Sequence, residues 1–167
     1  ADDLPVQENG TRTFMEIIAL CNDSRVTRTV ESTIQASGDP TETALVVYAS
    51  KKGFHKNEME RLFPRKSEIP FDSDRKLMTT INETGTGHYR VMTKGAPDIL
   101  LDRCNRILED GKIRPLTGKA RTLIRNANKD MASRSLRILA AAFKDLDSIP
   151  QGKTPASVEN NLVFAGL

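Results

Sequence analysis

Tryptophan is absent from these 167 residues, cysteine and histidine occur only twice each, and 5% of positions are aromatic. Each shortage narrows the chemistry. Cys21 and Cys104 lie far apart and lack metal-ligand spacing. Two reduced, largely buried thiols, as in a cytosolic protein, are therefore expected ahead of a lone disulfide. His55 and His88 lie near turns and read as solvated rather than catalytic. There is no Gly-x-x-x-x-Gly-Lys-[Ser/Thr] loop, no dinucleotide fingerprint and no cluster of metal ligands. No apolar run approaches the length of a bilayer span, and no signal peptide opens the chain. Without one, the sequons at Asn22 and Asn82 read as chance. The balance of 25 basic against 22 acidic residues leaves only +3, too little to indicate nucleic acid.

What is present is ordinary globular material. A hydrophobic content of 38% and a charged content of 28% fit one domain over residues 1–167 with a sizeable core. Residues 1–10 read as a polar lead-in. Thr13 to Glu16 has the form of a capping box opening a helix that ends near Asn22, with Phe14, Ile17, Ile18 and Cys21 on its core stripe. Residues 23–38 read as a loop with one short strand. Asp39, Pro40 and Glu42 start a second helix that Gly53 stops. A third spans Lys56 to Phe63.

Strands follow at Ser67–Phe71 and in a hairpin of Lys76–Ile81 with His88–Thr93. A helix opens at Ala96-Pro97-Asp98, a small hairpin turns at Asp110-Gly111, and the longest helix runs from about Thr117 to Ser133. Its stripe is Ala120, Leu123, Ile124, Ala127 and Met131. Leu136 to Phe143 reads as a buried strand holding one arginine, residues 145–161 as a polar loop, and Leu162–Leu167 as a further apolar run. The fold class expected is α+β, a mostly antiparallel twisted sheet flanked by helices.

The chemistry concentrates in Phe71-Asp72-Ser73-Asp74-Arg75-Lys76, where one ring precedes a patch of mixed charge, and in Lys94-Gly95-Ala96-Pro97 beyond the hairpin. An exposed ring can lie on a purine, and nearby lysines can balance phosphate charge. Lys76, Met78 and Thr80 share one strand face, and Arg90, Met92 and Lys94 share another. Phe71 and Lys76 fall on opposite faces of an ideal strand, so a joint site requires a bend between them.

Four stretches, in order, carry a resemblance: Gly38-Asp39-Pro40-Thr41-Glu42-Thr43-Ala44-Leu45, Phe71 to Met78, Lys94-Gly95-Ala96-Pro97-Asp98 and Leu136-Arg137-Ile138-Leu139-Ala140. Together they resemble the nucleotide-binding (N) domain of P-type cation-transporting ATPases, the type II calcium-pump branch especially. Pro70 to Thr80 is most similar to the bacterial calcium pumps.

The resemblance implies a cytoplasmic domain of an integral membrane pump that binds ATP and passes its phosphoryl group to an aspartate of a neighbouring phosphorylation domain. That aspartate's Asp-Lys-Thr-Gly segment is absent from this chain. It also implies contacts with the pump's phosphorylation and actuator domains, no catalytic residue here, and a monomer in isolation. Magnesium would accompany the phosphates, held mainly outside this chain. Residues 1–10 and 162–167 would be hinge-proximal ends.

By the same resemblance Phe71 stacks on adenine, Lys76 lies deep in the pocket, Lys94 closes its base beside Gly95, and Glu42 accepts from the adenine amino group. Arg137 reaches the phosphates, with Leu139 beside the ring and Met78 and Ala96 as lesser walls. Ser73 stands where animal-type calcium pumps often carry an arginine.

Plainer readings stand beside these. Phe71 could be a core ring at a strand end and the lysines solvated strand residues. Helix capping alone could explain Glu42, and Arg137 could pair with an acid of the long helix. The function from another class is a regulatory or protein-interaction domain that retains the fold without binding nucleotide.

Overall fold

The computed structural model describes residues 8–28 and 34–167. In chain order they form α1 (Glu8–Leu20), β1 (Arg25–Arg28), β2 (Ile34–Ser37), α2 (Pro40–Lys51), α3 (Lys56–Leu62), β3 (Arg65–Asp72), β4 (Leu77–Gly85) and β5 (His88–Gly95). There follow α4 (Pro97–Asp102), β6 (Cys104–Glu109), β7 (Lys112–Pro115), α5 (Gly118–Ser133), β8 (Ala140–Leu146), α6 (Pro155–Val158) and β9 (Leu162–Gly166). Most of the lead-in expected at residues 1–10 lies outside the described residues.

A seven-stranded sheet in the order β3-β4-β5-β8-β9-β6-β7 is the frame, with β1 and β2 as a separate two-stranded ribbon. Every described pairing is antiparallel except β6 with β9. The α+β expectation holds. Alternating side chains of the central strands feed two cores, one on each side of the sheet. Met78, Met92, Phe143 and Val163 pack with α1, Ala49 of α2 and Met59 of α3. Leu77, Ile81, Val91 and Phe164 pack with Leu100 and Leu101 of α4 and with Val158 of α6. Each fully buried aliphatic side chain contributes roughly 1.5–3 kcal/mol by leaving water, so the sheet is held from both faces.

Several expectations change. Residues 23–38 hold two paired strands, β1 and β2, where one was expected, and the polar loop of 145–161 holds α6. Thr13 does not cap α1, because the helix is already running at Glu8. Glu16 pairs instead with Arg12 at 2.9 Å and Arg90 at 3.5 Å. The expected core stripe survives, with Ile17, Ile18 and Cys21 buried. On α5 no residue is fully buried, and Leu123 is 61% exposed while Ala120 and Ile124 touch the core.

Residues 136–139 are not a buried strand. After α5 the chain turns through Ser135 at φ +59 and joins the sheet only at Ala140, opposite Gly95. There β5 ends and α4 begins, so residues 136–139 have no strand to pair with. Leu136 and Arg137 are both exposed. The apolar run from Leu162 becomes β9, an interior strand between β8 and β6 with Leu162, Val163 and Phe164 buried.

Candidate functional site

At the β4–β5 end of the sheet, backbone geometry turns several side chains toward one hollow. Met78 and Lys94 are direct partners in the β4–β5 register, so they project from the same face. The bend that the sequence demanded lies in the β3–β4 turn, where the ladder shifts between Ile69 and Asp72 and Lys76 takes a left-handed φ of +56. Phe71, at the end of β3, is left 61% exposed. From the opposite side comes the start of α2, which forms because Asp39 accepts from the N–H groups of Thr41 (2.9 Å) and Glu42 (3.2 Å) and Pro40 pre-sets the first turn.

These parts enclose a cavity of about 260 Å³ lined by Asp23, Asp39, Thr41, Glu42, Phe71, Met78, Lys94, Gly95, Arg137 and Leu139. Seven expected residues therefore converge: Glu42, Phe71, Met78, Lys94, Gly95, Arg137 and Leu139. Three do not line it. Ser73 and Lys76 are exposed in the turn, and Ala96 is the N-cap residue of α4. Lys76 is thus not deep, because the positive φ that makes the bend leaves its side chain outside. Asp23 and Asp39 were missed as wall residues; Asp39 had shown only its capping signal, and Asp23 carried none.

The floor is an ion pair. Lys94 Nζ donates to Glu42 Oε1, and the two side chains are 7% and 16% exposed. Glu42 Oε2 accepts from the Asp23 N–H at 2.9 Å. The glutamate therefore does not reach back to cap its own helix. Asn22, fully buried, steadies this arrangement by donating to the Ile18 and Glu42 carbonyls at 3.2 and 3.0 Å.

Gly95 is required by the packing of the strands. A Cβ there would stand 2.1 Å from the Lys76 carbonyl oxygen and 2.8 Å from Leu77 Cδ2, so the close approach is to β4 itself. Arg137 forms no ion pair with α5 or any other element among the described residues, and its charge reaches Asp39 across the cavity mouth. The Asp39 carboxyl is held below its ordinary value, chiefly by the Glu42 N–H; partial desolvation opposes this, and the Thr41 N–H, the Thr41 side chain and Arg137 add to the lowering.

A wider groove of about 850 Å³ opens beside the cavity and shares Thr41, Lys94, Arg137 and Leu139 with it. Size alone would favour the groove, but only the smaller cavity brings Phe71, Met78 and Glu42 together with Lys94. Among the described residues no group of three or more His, Cys, Asp or Glu is gathered to hold a metal ion, and no helix is long and apolar enough to cross a membrane. Both thiols are free and buried. Burial pushes Cys21 up and Cys104 up to about 12.

A family model described as P-type ATPase, cytoplasmic domain N, matches residues 10–167. The chain belongs to that family. This N domain is 39% identical over 166 residues to calcium-transporting ATPase 1 of Bacillus cereus, covering 99% of the chain and 18% of the relative. It is 36% identical over 156 residues to calcium-transporting ATPase 1 of Lactococcus lactis, covering 92% of the chain and 17% of the relative. A calcium-transporting ATPase of Listeria monocytogenes matches at 36% over 160 residues, with 95% of the chain and 17% of the relative covered. The N domain thus spans under a fifth of the length of these P-type ATPases.

Proposed function

We propose that this domain holds the adenosine of ATP in the cavity below Phe71, as the cytoplasmic nucleotide-binding part of a cation pump, calcium being the favoured cation. What carries the reading is the convergence of Phe71, Met78, Leu139, Glu42, Lys94 and Arg137, from separate segments, on one hollow of about 260 Å³. That volume lies just under the ~300 Å³ at which drug-sized pockets begin. It suits a base and excludes a triphosphate, so the phosphates would project past Arg137 into solvent.

The work divides among the side chains. Phe71 offers a free ring face to the purine, and Met78 and Leu139 line the cavity beside it. The Lys94–Glu42 pair presents an acceptor and donors at the floor for the polar edge of the base. Arg137, with no acid paired to it among the described residues, is available to the phosphates. None of these groups is placed to activate a nucleophile. The domain's contribution to phosphoryl transfer would be position and orientation, with the accepting aspartate and the magnesium ligands supplied by the rest of the pump. A modest affinity suits that role, since tight ground-state binding adds nothing to the rate.

Calorimetric titration with ATP tests the reading. Phe71→Ala should weaken binding by about 5- to 150-fold, the 1–3 kcal/mol of a base stacked on a ring. Unchanged affinity would remove the stacking role and leave a regulatory or protein-interaction domain as the better description.

A further inference from the structure

The ring at position 71 has no strand to hold it. The β3–β4 ladder pairs Ile69 with Thr79 and then jumps to Asp72 with Leu77, so Pro70 and Phe71 have no pairing partner. What bridges the gap is a side chain. Arg75 Nη2 donates to the Pro70 and Leu77 carbonyls, both at 2.8 Å, stitching together the two sides of the turn. The turn is also closed from within, as Asp72 Oδ1 accepts from the N–H groups of Asp74 (3.1 Å) and Arg75 (2.7 Å).

Arg75 is itself anchored. Its Nε lies 3.1 Å from Glu159 Oε2, an electrostatic pairing whose alignment makes no hydrogen bond. Glu159 follows α6 and is fully buried, and its Oε1 accepts from Thr79 Oγ1 at 2.7 Å. Thr79 Oγ1 lies 2.9 Å from Thr93 Oγ1 on the next strand. Arg75 is the only cation paired with Glu159 among the described residues. A buried carboxylate demands such a partner, so the pair holds the guanidinium at the turn.

We propose that Arg75, fixed by Glu159, is a positioning residue for nucleotide: it sets the Phe71 ring over the cavity without touching the ligand. This rests on the reading that Phe71 stacks on adenine. Arg75 does not line the cavity, so its loss should weaken adenosine and ATP by the same factor.

The chain has no tryptophan, so Phe71→Trp supplies a single fluorescent ring at the site. In that background Arg75→Lys keeps a cation for Glu159 but cannot fork onto two carbonyls, while Arg75→Met with Glu159→Gln removes both charges together. The readouts are tryptophan anisotropy without ligand, dissociation constants for ATP and for adenosine, and a circular-dichroism melt. The expected result is lower anisotropy in Arg75→Lys and in the double variant, a cooperative melt, and a parallel loss of about tenfold for both ligands.

Anisotropy and both affinities within about twofold of the parent in Arg75→Lys would overturn the proposal. So would a loss confined to ATP, which would make Arg75 a phosphate contact. Should the double variant fail to fold, Arg75→Lys decides alone. Should the wild-type chain bind neither ligand, the nucleotide reading fails, and anisotropy in the Phe71→Trp background still decides whether Arg75 holds the ring: lower supports it and equal overturns it.

Discussion

Lys94, 52 residues along the chain from Glu42, donates its ammonium to that carboxylate and joins the end of β5 to the first turn of α2. The two residues meet because Gly95 lets β5 press against β4, and because Asp39 and Pro40 start α2 at this position. With the lysine side chain 7% and the glutamate side chain 16% exposed, each depends on the other for compensation of its charge.

Removing either partner should therefore cost more than removing both. Glu42→Gln or Lys94→Met alone should destabilise the fold by about 3 kcal/mol, the cost of a buried charge left without its partner. The double variant should recover part of that loss. Urea unfolding of the four proteins in a double-mutant cycle checks this, and additive losses would show the pair uncoupled.

Gly95→Ala should cost about 1–3 kcal/mol through overpacking against Lys76 and Leu77. It should also weaken ATP binding, because the strand that carries Lys94 would be pushed off β4. Denaturant unfolding together with a binding titration would detect both effects.

Arg137→Ala should reduce affinity for ATP more than for adenosine, while the melting temperature stays close to that of the wild type because the residue is exposed and outside the sheet. Equal losses for the two ligands would argue against a phosphate contact.

The Asp39 carboxyl is held below its ordinary value by the amides of α2. Its contribution to stability is thus complete above the ordinary aspartate value of 3.8 and is lost as pH falls through the lower folded value. Melting temperatures of wild type and Asp39→Asn should differ most near neutral pH and converge in acid. A gap that persists at low pH would show the cap to be insensitive to the charge.

Much of this was legible in the residues, and the failures have identifiable causes. The α2 cap and the β4–β5 hairpin follow from local chemistry, Pro40 after Asp39 and a Gly85-Thr86-Gly87 turn between alternating strands. The same locality hid the start of α1, because Thr13 and Glu16 imitate a capping box while Glu16 in fact answers Arg12 and Arg90. Leu136 to Leu139 were apolar enough to pass for strand, yet pairing depends on where β5 ends, and no local pattern records that. Lys76 was misjudged because a left-handed backbone at a lysine leaves no signature in composition. Glu159 was invisible in a polar loop. Its burial comes from contacts with Thr79 and Arg75 across the fold.

The most direct test of the central claim is titration of the isotope-labelled chain with ATP, followed through its backbone amide resonances. The account predicts shifts that saturate with a single affinity and cluster at Glu42, Phe71, Met78, Lys94, Gly95 and Leu139, around one cavity. Shifts scattered over the surface, or grouped on α5 and away from Phe71, would contradict it.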